Sequence, residues 1–216
     1  MDSIEYKGYT IEIENDENPD NPRNWDNLSH MVCFHKRYDL GDSDTDLSSD
    51  IFNGWEEVEE HLRKEKGAVI IAPLYLYDHS WLRIKIGSFY GCGLPQGHAR
   101  FDSGQVGFIY VTKEDIKEDF QVKRITQKIK DRAMKVLEGE VKTYDSYVSG
   151  QVYGYRILDN KENDIDSCWG YYGDTDYLIQ EAKGHIDYII EHERKEKQKK
   201  VKSLIKTKVN LQYRKV

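Results

Sequence analysis

Three groups of residues are of types that could do chemistry. Asp78, His79 and Ser80 form one short string, and Asp102 and Ser103 form another. A serine hydroxyl activated by an imidazole that a carboxylate orients is the arrangement of nucleophilic acyl transfer. No G-x-S-x-G elbow accompanies them, however, and Ser103 before Gly104 is equally a turn sequence. His30, Cys33 and His35 place two imidazoles and a thiol within one short stretch. These donors suit zinc, and in a strand Cys33 and His35 share a face. A fourth ligand is not evident, since Cys92, His98 and Cys168 are remote in sequence. Asp42, Asp44 and Asp46 follow the alternate spacing of the first ligands of an EF-hand loop, but Leu47 stands where that loop needs glycine and Asn53 where it needs a bidentate glutamate. The run is expected to be a solvated acidic loop, and no metal or cofactor is expected. The glycines of GCGLPQG lack the Lys and Ser or Thr of a phosphate loop.

The elements that must carry these groups are read from periodicity. Residues 4–14 predict a hairpin about Lys7-Gly8, and the Asn- and Pro-rich segment 15–27 a loop. Met31 to Phe34 reads as a short strand. A box-like Asn53 and Glu56 precede Trp55, Val58 and Leu62 at helical spacing, which ends at Gly67. Residues 68–77 predict a buried strand in which Pro73 requires an edge position or a bulge, and 81–86 its partner across a turn. The Gly-rich segment 87–104 is a loop, and 105–111 a further strand. Thr112 with Asp115 caps a short helix, and Ile125, Ile129, Ala133, Val136, Leu137 and Val141 share one face of a longer one. Two strands joined by DNKEND follow, then a helix from Asp174 or Thr175. Strands and helices mix without a strand-helix-strand repeat, so the expected fold is α+β: a single domain with a mostly antiparallel sheet packed by three or so helices. The expected division is an α+β domain over 1–192 and a basic helical C-terminal extension over 193–216.

Charge is strongly polarised along the chain. Over residues 1–60 there are 17 Asp and Glu against 4 Lys and Arg, whereas from Glu191 onward 10 basic residues face 3 acidic ones. An acidic surface of Asp16, Glu17, Asp20, Asp42, Asp44, Asp46, Glu56, Glu57, Glu59 and Glu60 could mimic phosphates for a basic partner. At the other end Lys199, Lys200, Lys202, Lys206, Lys208 and Arg214 could each neutralise a phosphate, with Tyr213 adding one stacking contact. The tyrosines of residues 144–172 are expected mainly to pack the sheet. Three widely spaced cysteines argue for reduced thiols, and the chain shows neither a leader-like start nor a long apolar run. Cytoplasmic location and no membrane contact are expected.

NPRNWDNLSHMVCFHKRYDLGD, IAPLYLYDHS, DSGQVGFIYVTKEDI, LEGEVKTYDSYVSGQVYGYRI and SCWGYYGD together resemble, over residues 4 to about 174, a family of small acidic accessory proteins encoded by phages and mobile elements of Gram-positive bacteria. Trp81 departs from the family pattern, which continues DHS with glycine. The resemblance implies action in the cytoplasm of a host cell and no catalytic residues. With the charge pattern it leads to the expectation of a non-catalytic protein that binds a host protein or nucleoprotein complex through the acidic surface, as an inhibitor of a CRISPR or restriction defence would. A nucleic-acid-binding protein acting through the basic tail, and a small hydrolase or metalloenzyme, are the alternatives. Self-association into a homo-oligomer is a further expectation.

Overall fold

The computed structural model describes residues 2–43, 47–94 and 97–208. The fold is α+β with antiparallel sheets, as the mixed pattern of elements predicts, but the strands divide between two four-stranded sheets instead of joining one. The chain groups into two compact units, residues 1–16 with 153–216, and residues 17–152. The expected boundary at 192/193 falls inside a continuous helix.

In the first unit, β1 (Asp2–Tyr6) and β2 (Tyr9–Asn15) form a hairpin in which Tyr6 pairs with Tyr9. The two turn residues, Lys7 (φ 51) and Gly8 (φ 84), both take positive φ, the twist that a two-residue hairpin needs.

The second unit begins with a 3-10 turn at Pro22–Asn24 and continues with β3 (His30–Cys33), α1 (Trp55–Lys64), β4 (Ala68–Asp78) and β5 (Leu82–Ile86). The single turn α2 (His98–Phe101) lies within the Gly-rich loop and precedes β6 (Ser103–Thr112), α3 (Lys113–Asp119) and α4 (Gln127–Val148). The sheet order is β3-β6-β4-β5. One face receives α4, whose Ala133, Leu137, Val141 and Tyr144 recur every three or four residues and pack with Leu74, Ile84, Ile109 and Val111. Each fully buried Leu or Ile of this kind contributes about 1.5–3 kcal/mol. The other face receives Val58 and Leu62 of α1 on Val32, Phe108 and Tyr110.

One expectation is met here and another is corrected. Pro73 sits in β4, an interior strand, pairs with Phe108 of β6, and has the expected irregularity beside it, a register shift between Leu74 and Tyr75. It is tolerated because the N and C=O of a strand residue face the same neighbour, and on that side β5 pairs only from Leu74 onward. The one bond there, Gly87 N–H to the Pro73 carbonyl at 2.9 Å, uses the group proline keeps. The Asn53–Glu56 box does not form: the Asn53 N–H and side-chain amide instead donate to Glu57 at 2.9 and 3.1 Å. The Thr112–Asp115 box does form at the start of α3.

The chain then returns to the first unit with β7 (Val152–Leu158), β8 (Asp164–Tyr172) and α5 (Thr175–Lys208). The order is β1-β2-β7-β8. Ile11, Ile13, Tyr155 and Ile157 face Leu178, Ala182 and Ile186, which repeat every four residues along α5. After Ile190 this apolar stripe stops, and residues 197–206 are exposed throughout. No helix among the described residues is long and apolar enough to cross a membrane.

Candidate functional site

The end of β4 and the turn α2 converge on one cluster. Asp102 follows α2 directly, and its N–H bonds the His98 carbonyl at 2.8 Å, which sets the two side chains on one face of the turn. The Asp102 carbonyl in turn accepts from Asp78 N–H at 2.8 Å and ties α2 to β4. That contact brings His79 to the same place: its Nδ1 lies 3.4 Å from Asp102 Oδ2, and His98 Nδ1 lies 3.6 Å from the same oxygen. The two imidazole centroids are 4.5 Å apart. Tyr77, buried at the base of the cluster beside Phe89, holds its hydroxyl 3.0 Å from His98 Nδ1. Among the described residues, His79, His98 and Asp102 are the one group of three or more His, Cys, Asp or Glu side chains gathered closely enough for a common ion.

The predicted triad is half assembled. His79 and Asp102 meet, but the Ser103 hydroxyl donates to the Ala99 carbonyl at 2.5 Å and so turns into α2 instead of toward the imidazole. Asp78 takes the guanidinium of Arg37 and the Tyr38 hydroxyl, so it serves the fold at the rim of the site. A cleft of about 270 Å³ lined by His35, Arg37, Phe101, Ser103 and Gln105 shares Asp102 with the cluster.

His30, Cys33 and His35 do not come together as a ligand set. His30 Nε2 pairs with Asp115 at 3.1 Å and its ring stacks on Tyr110. His35 Nδ1 accepts the N–H groups of Arg37 and Tyr38, each at 3.3 Å. Cys33 packs on the main core, and burial pushes its thiol up to about 12, with the Asp42 charge adding to the effect. A second cleft, about 520 Å³, is walled by Phe34, Phe52 and Trp55. Two of its polar lining groups are already engaged, His35 by two backbone amides and Asn53 by Glu57.

The acidic residues are less available than their number suggests. Asp42 is an internal group: it receives Arg23 Nε and Met31 N–H, each at 2.7 Å, and its side chain is 16 % exposed. This corrects its place in the expected acidic surface. Glu57 is held below the usual carboxylate range by the Asn53 bonds. Glu59 pairs with Arg63 at 2.6 Å and Glu60 with Lys64, one helical turn on. Glu56, Glu17 and Asp20 are exposed, and Asp16 half so. Asp44 and Asp46 lie outside the described residues.

The basic residues are presented differently. On α5, Lys199 pairs with Glu196 at 2.7 Å and the Lys200 charge acts on the same glutamate, while Lys202 and Lys206 are exposed with no carboxylate partner among the described residues. Lys199, Lys202 and Lys206 share a helix face by spacing, opposite Val201, Leu204 and Ile205. Lys208 is the last described residue of α5, and Arg214 and Tyr213 lie outside the described residues.

What sequence reasoning missed is the membership of His98 in the His79–Asp102 group. The signal available was His98 four residues before Asp102, a pair that only a helical turn brings onto one face. No family of known proteins matches the chain, nor does any curated protein or solved structure.

Proposed function

We propose that this chain is an accessory protein that contacts nucleic acid, free or within a nucleoprotein complex, through the lysine face of α5. The observation that supports the reading is the asymmetry of charge availability. Asp42 is drawn into the fold and Glu59 and Glu60 into pairs along α1, whereas Lys202 and Lys206 stand exposed on α5, past its glutamate-paired stretch, with no carboxylate partner among the described residues. An exposed row of ammonium groups gains affinity for a polyanion by displacing its condensed counterions. Residues 191–206 would span about 24 Å at a rise of about 1.5 Å per residue, enough to track several phosphates. The resemblance to mobile-element proteins supplies the setting, inside a bacterial cell where nucleic acid and the complexes that handle it are abundant.

The test is a full-length variant with Lys199→Glu, Lys202→Glu and Lys206→Glu, compared with the parent for binding to duplex and single-stranded oligonucleotides over a range of salt. For the parent, log K should fall steeply with log salt, by about 0.9 for each duplex phosphate contacted. The variant should bind more than tenfold more weakly at low salt and lose most of that slope. Equal affinity of the two proteins, or binding that does not respond to salt, would remove the reading.

A further inference from the structure

We infer that His79, His98 and Asp102 bind one divalent first-row transition ion, of the zinc class, in a site with an open coordination position. An imidazole that simply hydrogen-bonds a carboxylate closes to about 2.7–2.9 Å. Here the two imidazole nitrogens stop at 3.4 and 3.6 Å from Asp102 Oδ2, beyond a normal N–H···O bond. Two donors each about 2.1 Å from one ion at a tetrahedral angle stand about 3.4 Å apart. Both carboxylate–imidazole spacings match that value, and the three ligand atoms all lie within 4.8 Å of one another.

The scaffold supports the same conclusion. The Asp102 backbone is bonded on one side to His98 and on the other to Asp78, so two of the three ligands and the base of the third are fixed by backbone hydrogen bonds. The Tyr77 hydroxyl, 3.0 Å from His98 Nδ1, fixes the position of that ring and would give up this nitrogen to the ion on binding. Phe89 and Tyr77 close the floor, and the ligands are between a quarter and half exposed, so the outer side is open to solvent.

The donor set limits the ion. Two imidazoles and one carboxylate suit zinc, iron(II), cobalt(II) or nickel(II), whereas calcium and magnesium require mostly oxygen ligands. Three protein ligands leave a position for water or substrate, the pattern of reactive sites as opposed to closed structural ones.

The experiment is titration of the full-length protein with Zn²⁺ and with Co²⁺ alone, followed by calorimetry and, for cobalt, by visible absorption. One equivalent should bind per chain, with a cobalt spectrum of low coordination number. His79→Ala lies in an exposed turn and leaves the core untouched, so it is the first variant. It should weaken binding at least tenfold, as should Asp102→Asn, while His192→Ala on α5 should bind as the parent does. Circular dichroism of each variant shows that the fold persists. Absence of binding by the folded parent, or affinity unchanged in both His79→Ala and Asp102→Asn, would overturn the assignment.

Discussion

Arg23 Nε lies 2.7 Å from Asp42 Oδ1, with the arginine side chain 2 % exposed. The same guanidinium donates to the Ser29 carbonyl at 2.7 Å and reaches Glu140 of α4 at 3.4 Å. Glu140 also accepts the Leu28 and Ser29 N–H groups. A segment with little apolar content of its own is thereby held to α4 by charge-assisted bonds. Residues 15–27 predict only a loop, and this network is the reason the loop has a defined path.

Removing Arg23 leaves Asp42 and Glu140 close together without their cation. Arg23→Ala is expected to cost about 3–5 kcal/mol, the range for breaking a buried pair from one side. Denaturant titration of the full chain checks this. A loss below about 1 kcal/mol would show that water replaces the arginine and that the network contributes little.

Stability should also decline in alkali. Burial pushes the Cys33 thiol from 9.0 to about 12 and the Tyr144 phenol from 10.0 to about 12. Both groups hold their protons more tightly folded than unfolded. Their contribution is complete below about pH 9 and is lost as pH rises toward 12, by a few kcal/mol in all at about 1.4 kcal/mol per unit. Thermal melts from pH 8 to 12 should show the decline. Tyr144→Phe should flatten its upper part, at the expense of the bond from Gly41 N–H at 2.9 Å. A melting temperature level to pH 12 would contradict the assignment.

The three thiols should separate by reactivity. Cys92 and Cys168 are exposed, whereas Cys33 is held as a neutral thiol by burial. A disulfide reagent at pH 8 is expected to modify two thiols quickly and the third only after denaturant is added. Fast modification of all three would mean that the β3 region opens readily.

Two glycines predict opposite outcomes. A Cβ on Gly107 would lie 1.9 Å from the Val32 carbonyl oxygen and 2.9 Å from Cys33 Cα, backbone that cannot move without separating β3 from β6. A Cβ on Gly154 would meet the Trp169 ring at 2.2 Å, but that ring is 43 % exposed and can swing away. Gly107→Ala should exceed the usual overpacking cost of about 1–3 kcal/mol, whereas Gly154→Ala should fall near its lower end. The latter should also shift tryptophan fluorescence. Equal losses would refute the distinction between rigid and movable neighbours.

Short-range features were legible in the residues themselves. Lys7-Gly8 between alternating apolar residues specifies a two-residue hairpin, and Thr112 three before Asp115 specifies a cap, because each depends on atoms a few bonds apart. The faces of α4 and of the first part of α5 follow from 3.6-residue periodicity for the same reason, except that Ile125 precedes α4 and Val136, expected on the packed face, is 38 % exposed. The antiparallel α+β class is a consequence of these local elements in their order.

Tertiary structure alone decided which distant groups meet. Pro73 occupies an interior strand because β5 pairs only from Leu74, a fact about register that the proline does not carry. Asp42 belongs inside because Arg23 and the Met31 amide converge on it, although its neighbours in sequence read as an acidic surface. His98 joins His79 and Asp102 only because α2 is bonded to the end of β4. Composition and periodicity report the side of an element on which a residue lies, but a site is an intersection of elements, and its members are chosen by strand pairing and packing.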